Sequence, residues 1–400
     1  MSFMDSGKSG IIAHNLRVFY LVDTFRAMWF ITSIWVAYEK QFLNLSQITL
    51  IEAVILTVAL IMQLPTGAFA DLFGKKKAMI VGCFLYASAM LIYSLSGNFN
   101  MFLGYALVFG LAEAFIDGTR EALIYDTMKE GGREEDFSNT ASKLSMIFQV
   151  SLSVATIVGG YIGLFSYELV IRMSGMAFLM AMITAFKFQE PHIDTEKFTL
   201  KNYVEKTKQG IKELVKNDYV RKISLFYITV GSITWICVIT LNMMLLNEMN
   251  FTTGEIGITI AFARIMNSVV LFRLISKTRI FNKERTLIIL PLILVFTLVP
   301  AIFFSKWMVL IPVTGAMFVS NARWNLISRY TNAEFTSKNR ATAISALCMI
   351  IGIIFVIVVG SSGYLMENFG GARPIYSVLG LVSLVIAFPL GLNLARSSRK

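Results

Sequence analysis

Carboxylates and arginines recur inside stretches that are otherwise apolar, at the spacing of a single helical face. In GLAEAFIDGTREALIYD, Gly110 to Asp126, the acids Glu113, Asp117 and Glu121 follow one another at intervals of four, and Arg120 stands three after Asp117. On a helix these four side chains share a face. Asp126 falls on another side, near the end of the stretch, where it is expected to be solvated. A buried carboxylate holds its proton tightly and a neighbouring guanidinium loosens it, so such a face can take up and release a proton as access to it changes. Asp117 coupled to Arg120 is the first candidate, with Glu113 as the alternative. Asp23, three residues before Arg26, and Glu52 in LIEAVIL are further acids of this kind. The same groups also fit a plainer role, as fixed ion pairs joining helices or, for Glu52, as an interface residue reaching outward.

A second set of polar residues could hold a solute or close a gate: Arg26 and Arg120 again, Arg264 in FARIMNS, Asn321, Arg323 and Asn325 in a later span, and Trp235 with Asn242. The first half of the chain is thus anionic and the second cationic at mid-span. That asymmetry fits an anionic substrate held by arginines with the proton on first-half acids, and it fits equally a gate closed by charge pairing.

The elements that must carry these residues follow from composition. The chain has 400 residues, 56% hydrophobic and 15% charged, against roughly 25% charged in an average soluble domain. About twelve apolar stretches are each near the ~20 residues that a membrane-spanning helix needs: 16–38, 47–70, 78–96, 101–125, 144–166, 169–186, 223–246, 256–275, 286–304, 307–327, 341–366 and 374–395. Each Asp, Lys or Arg at the centre of a lipid-facing span costs roughly 2.5–3.5 kcal/mol on the insertion scale. The charged face around Asp117 must therefore look onto protein or water.

Lysine and arginine gather at Lys75–Lys77, Lys129 and Arg133, 187–222, 277–285, Lys338 and Arg340, and Arg396, Arg399 and Lys400, with little between them beyond Lys40, Lys306 and Arg373. Basic residues in short loops stay on the cytoplasmic side, which places both termini inside, in a plasma or inner membrane. The net charge of +11 then reads as topology and contact with anionic lipid, and nucleic acid is not an expected partner. A removed leader is not expected. Cys83, Cys237 and Cys348 fall within spans at no metal-ligand spacing and read as buried thiols; His14 and His192 lie outside the spans. With no nucleotide-binding loop and no nucleophile elbow, no enzyme chemistry, cofactor or metal is expected, and energy must come from an ion gradient or from the solute.

The chain also repeats itself. NLSQI (Asn44 to Ile48) returns as NFTTGEI (Asn250 to Ile256), SNTASKLSMI (Ser138 to Ile147) resembles KNRATAISALCMI (Lys338 to Ile350), and GTREALI lies over NARWNLI, which pairs Arg120 with Arg323. Kept order and a nearly constant offset mark duplicated transporter halves. The halves are 1–189 and 221–400, joined by a polar linker, 190–220, with an amphipathic helix around Val204 to Leu214. Ser46 and Thr252 read as N-caps of the helices that follow.

The loop GAFADLFGKKKAMIVG, Gly67 to Gly82, carries Gly67, Asp71, Gly74 and the basic run from Lys75. It closely resembles the cytoplasmic motif of the major facilitator superfamily, and, with the spans, the halves and the central basic loop, the resemblance covers essentially the whole chain. It implies an all-α membrane protein of twelve transmembrane helices in two six-helix pseudo-repeat bundles. It also implies that Gly67 and Gly74 permit a tight turn and that Asp71 acts, with Lys75, as a conformational latch. In that family the first, fourth, seventh and tenth helices line the central cavity. Drug:proton antiporter-like members resemble this chain in compactness and in the acidic fourth helix, although SVATIVGGYIG, Ser153 to Gly163, lacks their proline. The expectation is a monomeric secondary transporter working by alternating access, exporting a small organic or amphipathic compound against protons. Uptake or exchange of an organic anion, and an uncoupled receptor or scramblase, are the alternatives.

Overall fold

The computed structural model describes residues 2–191, 200–277, 282–337 and 339–397; His192, Lys338, Arg399 and Lys400 lie outside them. The described residues are almost wholly helical. In chain order they form α1 (Ser2–Ala27), α2 (Trp35–Glu39), α3 (Leu45–Phe73), α4 (Lys75–Leu95), α5 (Phe99–Glu130), α6 (Phe137–Gly163), α7 (Tyr167–Ala185), α8 (Leu200–Leu214), α9 (Asp218–Ile236), α10 (Asn242–Glu248), α11 (Thr253–Lys277), α12 (Lys283–Leu298), α13 (Leu310–Ala322), α14 (Ser328–Ala333), α15 (Arg340–Phe369), α16 (Ala372–Val382) and α17 (Phe388–Ser397).

Among the described residues ten helical stretches are long and apolar enough to cross a membrane. The first and tenth of the twelve expected spans are not among these ten. The first breaks between α1 and α2 through a 3-10 turn, Phe30–Ser33, and the tenth passes from α13 to α14 through the π-helical segment Arg323–Ile327. Two more π segments, Cys237–Leu241 and Ser383–Ala387, lie within the seventh and twelfth spans; such widened turns are rare and gather at functional places. Large apolar side chains such as Phe84, Leu91, Phe262, Ile357 and Val385 stay exposed on these helices, as a lipid-facing surface requires.

Helix starts are written locally. Asn98, Ser166, Asn217 and Asn282 each accept a hydrogen bond from the backbone three residues on, opening α5, α7, α9 and α12, the N-cap arrangement. At α3 the cap is Asn44, in reciprocal hydrogen bonds with Gln47, so Ser46 is not the cap. Ser46 instead donates its backbone N–H and hydroxyl to the Glu367 carboxylate.

The chain divides into two compact units: Met1–Phe42, Val54–Leu200 and Thr253–Ile258 in one, and Leu43–Ala53, Lys201–Thr252 and Thr259–Lys400 in the other. Each unit takes in one helix beginning from the other's stretch of chain. In unit one, α4 runs along α5 and α7, and α1 meets α5, α6 and α7. The start of α11 belongs here because Gly160 of α6 lies against the backbone of Thr253, whose hydroxyl donates to the Gly160 carbonyl. No side chain larger than hydrogen fits that approach. In unit two, α9 packs on α15, and α12 on α13, α16 and α17. The start of α3 joins it through Gly363, whose N–H donates to Thr49.

Candidate functional site: two arginine centres

In unit one, α1 and α5 bring together most of the acids expected from the sequence. Asp23 is fully buried and accepts from Arg120 twice at Nε, at 2.9 and 3.1 Å, and once at Nη2, at 2.5 Å. Arg26 reaches the same carboxylate at 3.5 Å. The expected partner of Asp117 is therefore engaged elsewhere. Arg120 points across to α1, because a fully buried carboxylate without a cation would be far costlier than one open to water, and Asp117 is exposed.

Glu113, half-buried, takes a hydrogen bond from the Tyr86 hydroxyl of α4, and Arg26 stands within electrostatic reach of both. Asp117 lies next to Glu113, Arg26 and Arg120 in the same field. Two guanidiniums thus face Asp23, Glu113 and Asp117, with Glu121 also acting on Asp117, so carboxylates outnumber cations and a proton on Glu113 or Asp117 lowers the excess negative charge. The Nε of Arg26 and the indole N–H of Trp29 are buried without a hydrogen-bond partner among the described residues, leaving donors free toward the same cluster. Glu121 is exposed.

Unit two holds a counterpart with different chemistry. Arg323 opens the π segment of the tenth span, is 2% exposed, and lies against Gly231 of α9. Its guanidinium carbon sits 5.0 Å from the Tyr227 ring and 4.5 Å from the Trp324 ring, and it hydrogen-bonds the Tyr227 hydroxyl. Its Nε is buried without a partner, and no ion pair holds Arg323 among the described residues. Two aromatic faces supply cation–π attraction, but no opposite charge.

The remaining expected residues join neither centre directly. Arg264 of α11 is half-buried with its Nη1 unpartnered among the described residues. Asn242 accepts a 2.5 Å hydrogen bond from the Tyr376 hydroxyl, which makes it part of the packing, while its amide nitrogen has no partner there. Asn325 turns back to the carbonyl of Asn321. Trp235 packs on Phe355, with ring centres 5.3 Å apart. Glu52 lies in the part of α3 that belongs to unit two, with no hydrogen bond or ion pair among the described residues.

The expected latch has its parts in different hands. Gly74 sits at φ +100° in the turn between α3 and α4, a conformation natural to glycine, whereas Gly67 lies inside α3 with open space around it. Asp71 is exposed and makes no hydrogen bond among the described residues. The short ion pair at this turn joins Lys75 to Asp126, so Asp126 is buried and paired, not solvated. Glu190 caps α4, accepting from the backbone of Lys75 at 2.6 Å and Lys76 at 2.7 Å, where carboxylates are favoured by the helix dipole. Cys348 is exposed, unlike the buried Cys83 and Cys237. Among the described residues no three His, Cys, Asp or Glu are grouped to hold a metal ion.

Sequence reasoning missed Tyr86, Tyr227, Asp126 and Glu190. For Tyr227 a signal existed, since the offset that carries Arg120 onto Arg323 carries Asp23 onto Phe226, its neighbour. Nothing local marks Tyr86, which meets Glu113 from another helix.

Residues 19–337 match the Major Facilitator Superfamily. The chain belongs to that superfamily. An uncharacterized transporter of Buchnera aphidicola subsp. Schizaphis graminum is 25% identical over 169 residues, 42% of this chain, and the match spans 38% of that relative. Among solved structures, the nucleoside transporter NupG superposes with a TM-score of 0.74 at 12% identity, covering 95% of this chain and 98% of that one. A POT family transporter in complex with 5-aminolevulinic acid gives 0.71 at 12%, covering 96% and 97%. A bacterial homolog of the human lysosomal transporter Spinster, in an inward-facing and unoccupied conformation, gives 0.67 at 16%, covering 99% and 98%. At these identities the likeness is one of fold. A multi-pass, all-helical transporter of the major facilitator type is the result.

Proposed function

We propose that this superfamily member is a proton-coupled secondary transporter working by alternating access, with the proton carried by Glu113 and Asp117 and with a small organic anion as its solute. The observation that carries the reading is the unequal treatment of two equivalent arginines: Arg120 is neutralised by Asp23, whereas Arg323 is buried against rings with its Nε free. A buried guanidinium without a counter-charge is costly inside a membrane, and an anionic solute would supply that charge. Arg264, also short of a partner, favours the same solute chemistry.

The proton then follows from charge balance. Carboxylates outnumber guanidiniums in the unit-one cluster, so a proton there offsets excess negative charge and its protonation changes with exposure to water on either side. The lysine and arginine bias supports a plasma or inner membrane location with both termini cytoplasmic. Export is the direction implied by the resemblance to drug:proton antiporters, and it rests on that resemblance alone.

The test is reconstitution in liposomes with a trapped pH dye and a clamped potential, against panels of organic anions, lipophilic cations and neutral sugars. The expected result is proton movement triggered by the anions, abolished in Asp117→Asn combined with Glu113→Gln. Movement triggered by lipophilic cations alone would replace the anion with an amphipathic cation. Solute flux with no proton signal would overturn the coupling.

A further inference from the structure

The linker helix α8 presents two unlike faces. One is bolted to unit two. Gly210 lies against the backbone of Thr342 and Ala343 with no room for a Cβ. Glu213, buried, accepts from the Thr336 N–H at 2.8 Å, from Lys216 Nζ at 2.7 Å and from Asn339 at 3.3 Å. Lys216 also donates to the Glu334 carbonyl at 2.7 Å. Burial alone would push the Glu213 carboxyl up, yet these hydrogen bonds prevail and hold it at about 2.

The other face is apolar and open. Val204, Ile211 and Val215 are 42%, 41% and 56% exposed. Val204, Lys208 and Ile211 follow at intervals of four and three, which forms one stripe along α8, and Val215 stands in the turn just past its end. Lys208 and Lys212 are exposed on and beside this stripe. α8 ends at Leu214 and the membrane-spanning α9 starts at Asp218, so the stripe ends three residues before that span. An apolar stripe flanked by lysines, followed in the chain directly by a membrane span, matches an anionic lipid surface; the long lysine stems can lie along acyl chains while their heads reach phosphate.

We propose that α8 lies in the plane of the cytoplasmic leaflet, with Val204, Ile211 and Val215 at the acyl boundary and Lys208 and Lys212 on anionic headgroups. Only the side of the membrane rests on the orientation proposed above. Because Glu213 ties α8 to the turn between α14 and α15, lipid charge acts on the cytoplasmic end of unit two through this helix.

The experiment uses the full chain with Cys348→Ser and a fluorescent label at Ile211→Cys or, for comparison, at the exposed Gln209→Cys. The protein is reconstituted in phosphatidylcholine vesicles with or without phosphatidylglycerol. Brominated lipid is expected to quench the label at 211 several-fold more than the label at 209, more strongly with phosphatidylglycerol. Lys208→Glu with Lys212→Glu, which leaves the Glu213 anchor in place, is expected to remove the phosphatidylglycerol dependence. Equal quenching of both labels by aqueous iodide in both vesicles would overturn the proposal in favour of a solvated helix. Shielding of position 211 from both quenchers would overturn it in favour of a protein cover.

Discussion

Arg120 and Arg323 occupy matching places in the two sequence halves, yet one is an ion-pair residue and the other an arginine among rings. Arg120 reaches back to the first helix and finds Asp23 there. Arg323 reaches back to α9 and finds the hydroxyl and face of Tyr227, with Trp324, 54% exposed, across it. The difference teaches that a matching position in the sequence does not carry matching chemistry. Replacing one carboxylate by a tyrosine turns a closed staple into a centre whose charge must be met from outside.

The largest expected effect separates the two arginines by stability. Asp23→Asn takes from the part-buried Arg120 and Arg26 the carboxylate they share and should cost about 3 kcal/mol, the low end for a broken buried pair. Arg323→Gln strands no carboxylate and should keep the melting temperature in detergent close to that of the parent, while anion transport falls by more than tenfold. If Arg323→Gln unfolds the protein as Asp23→Asn does, the two centres are both structural staples.

A second variant sharpens the comparison by erasing it. Tyr227→Asp gives Arg323 the partner that Arg120 has, and it should preserve folding while abolishing anion flux in liposomes. Retained flux would mean that Arg323 does not meet the solute. Of smaller effect, Asp117→Asn alone leaves Glu113 as the one titrating acid of its pair, so the ratio of protons to solute should fall while solute exchange at equal concentrations persists. An unchanged ratio would move the proton to Glu113.

The smallest effect concerns pH at α8. The Glu213 carboxyl is held below its ordinary value, at about 2, so its stabilisation is complete above the unfolded value of about 4.5 and is lost as pH falls toward 2. Protection factors for hydrogen exchange across α8, with the intrinsic pH dependence of exchange divided out, should be unchanged from neutrality to pH 5 and should fall only below it. In Glu213→Gln the exchange should be faster at neutral pH and lose that acid step.

Much of the fold was legible because its causes are local. The length of each apolar run and Gly74 in the turn before the lysines act within a few residues, whereas the cap read at Ser46 falls on Asn44. The candidate acids were legible for the same reason, since i, i+4 spacing on one helix is a sequence property. Their partners were not. Arg120 stands a turn from Asp117 yet pairs with Asp23, and Asp126, placed by its own helix near solvent, is buried on Lys75.

The sequence by itself determined that this chain crosses a membrane many times and that its charges within the spans must face protein or water, because hydrophobic length and the cost of burying charge depend on residue type alone. Only the tertiary structure decided which carboxylate meets which arginine, that Arg323 meets none among the described residues, and that α8 is anchored through Glu213 while its valines and Ile211 stay open. Those outcomes depend on which helices lie side by side. Coulomb and hydrogen-bond energies act over a few ångströms in space, and separation along the chain carries no record of that distance.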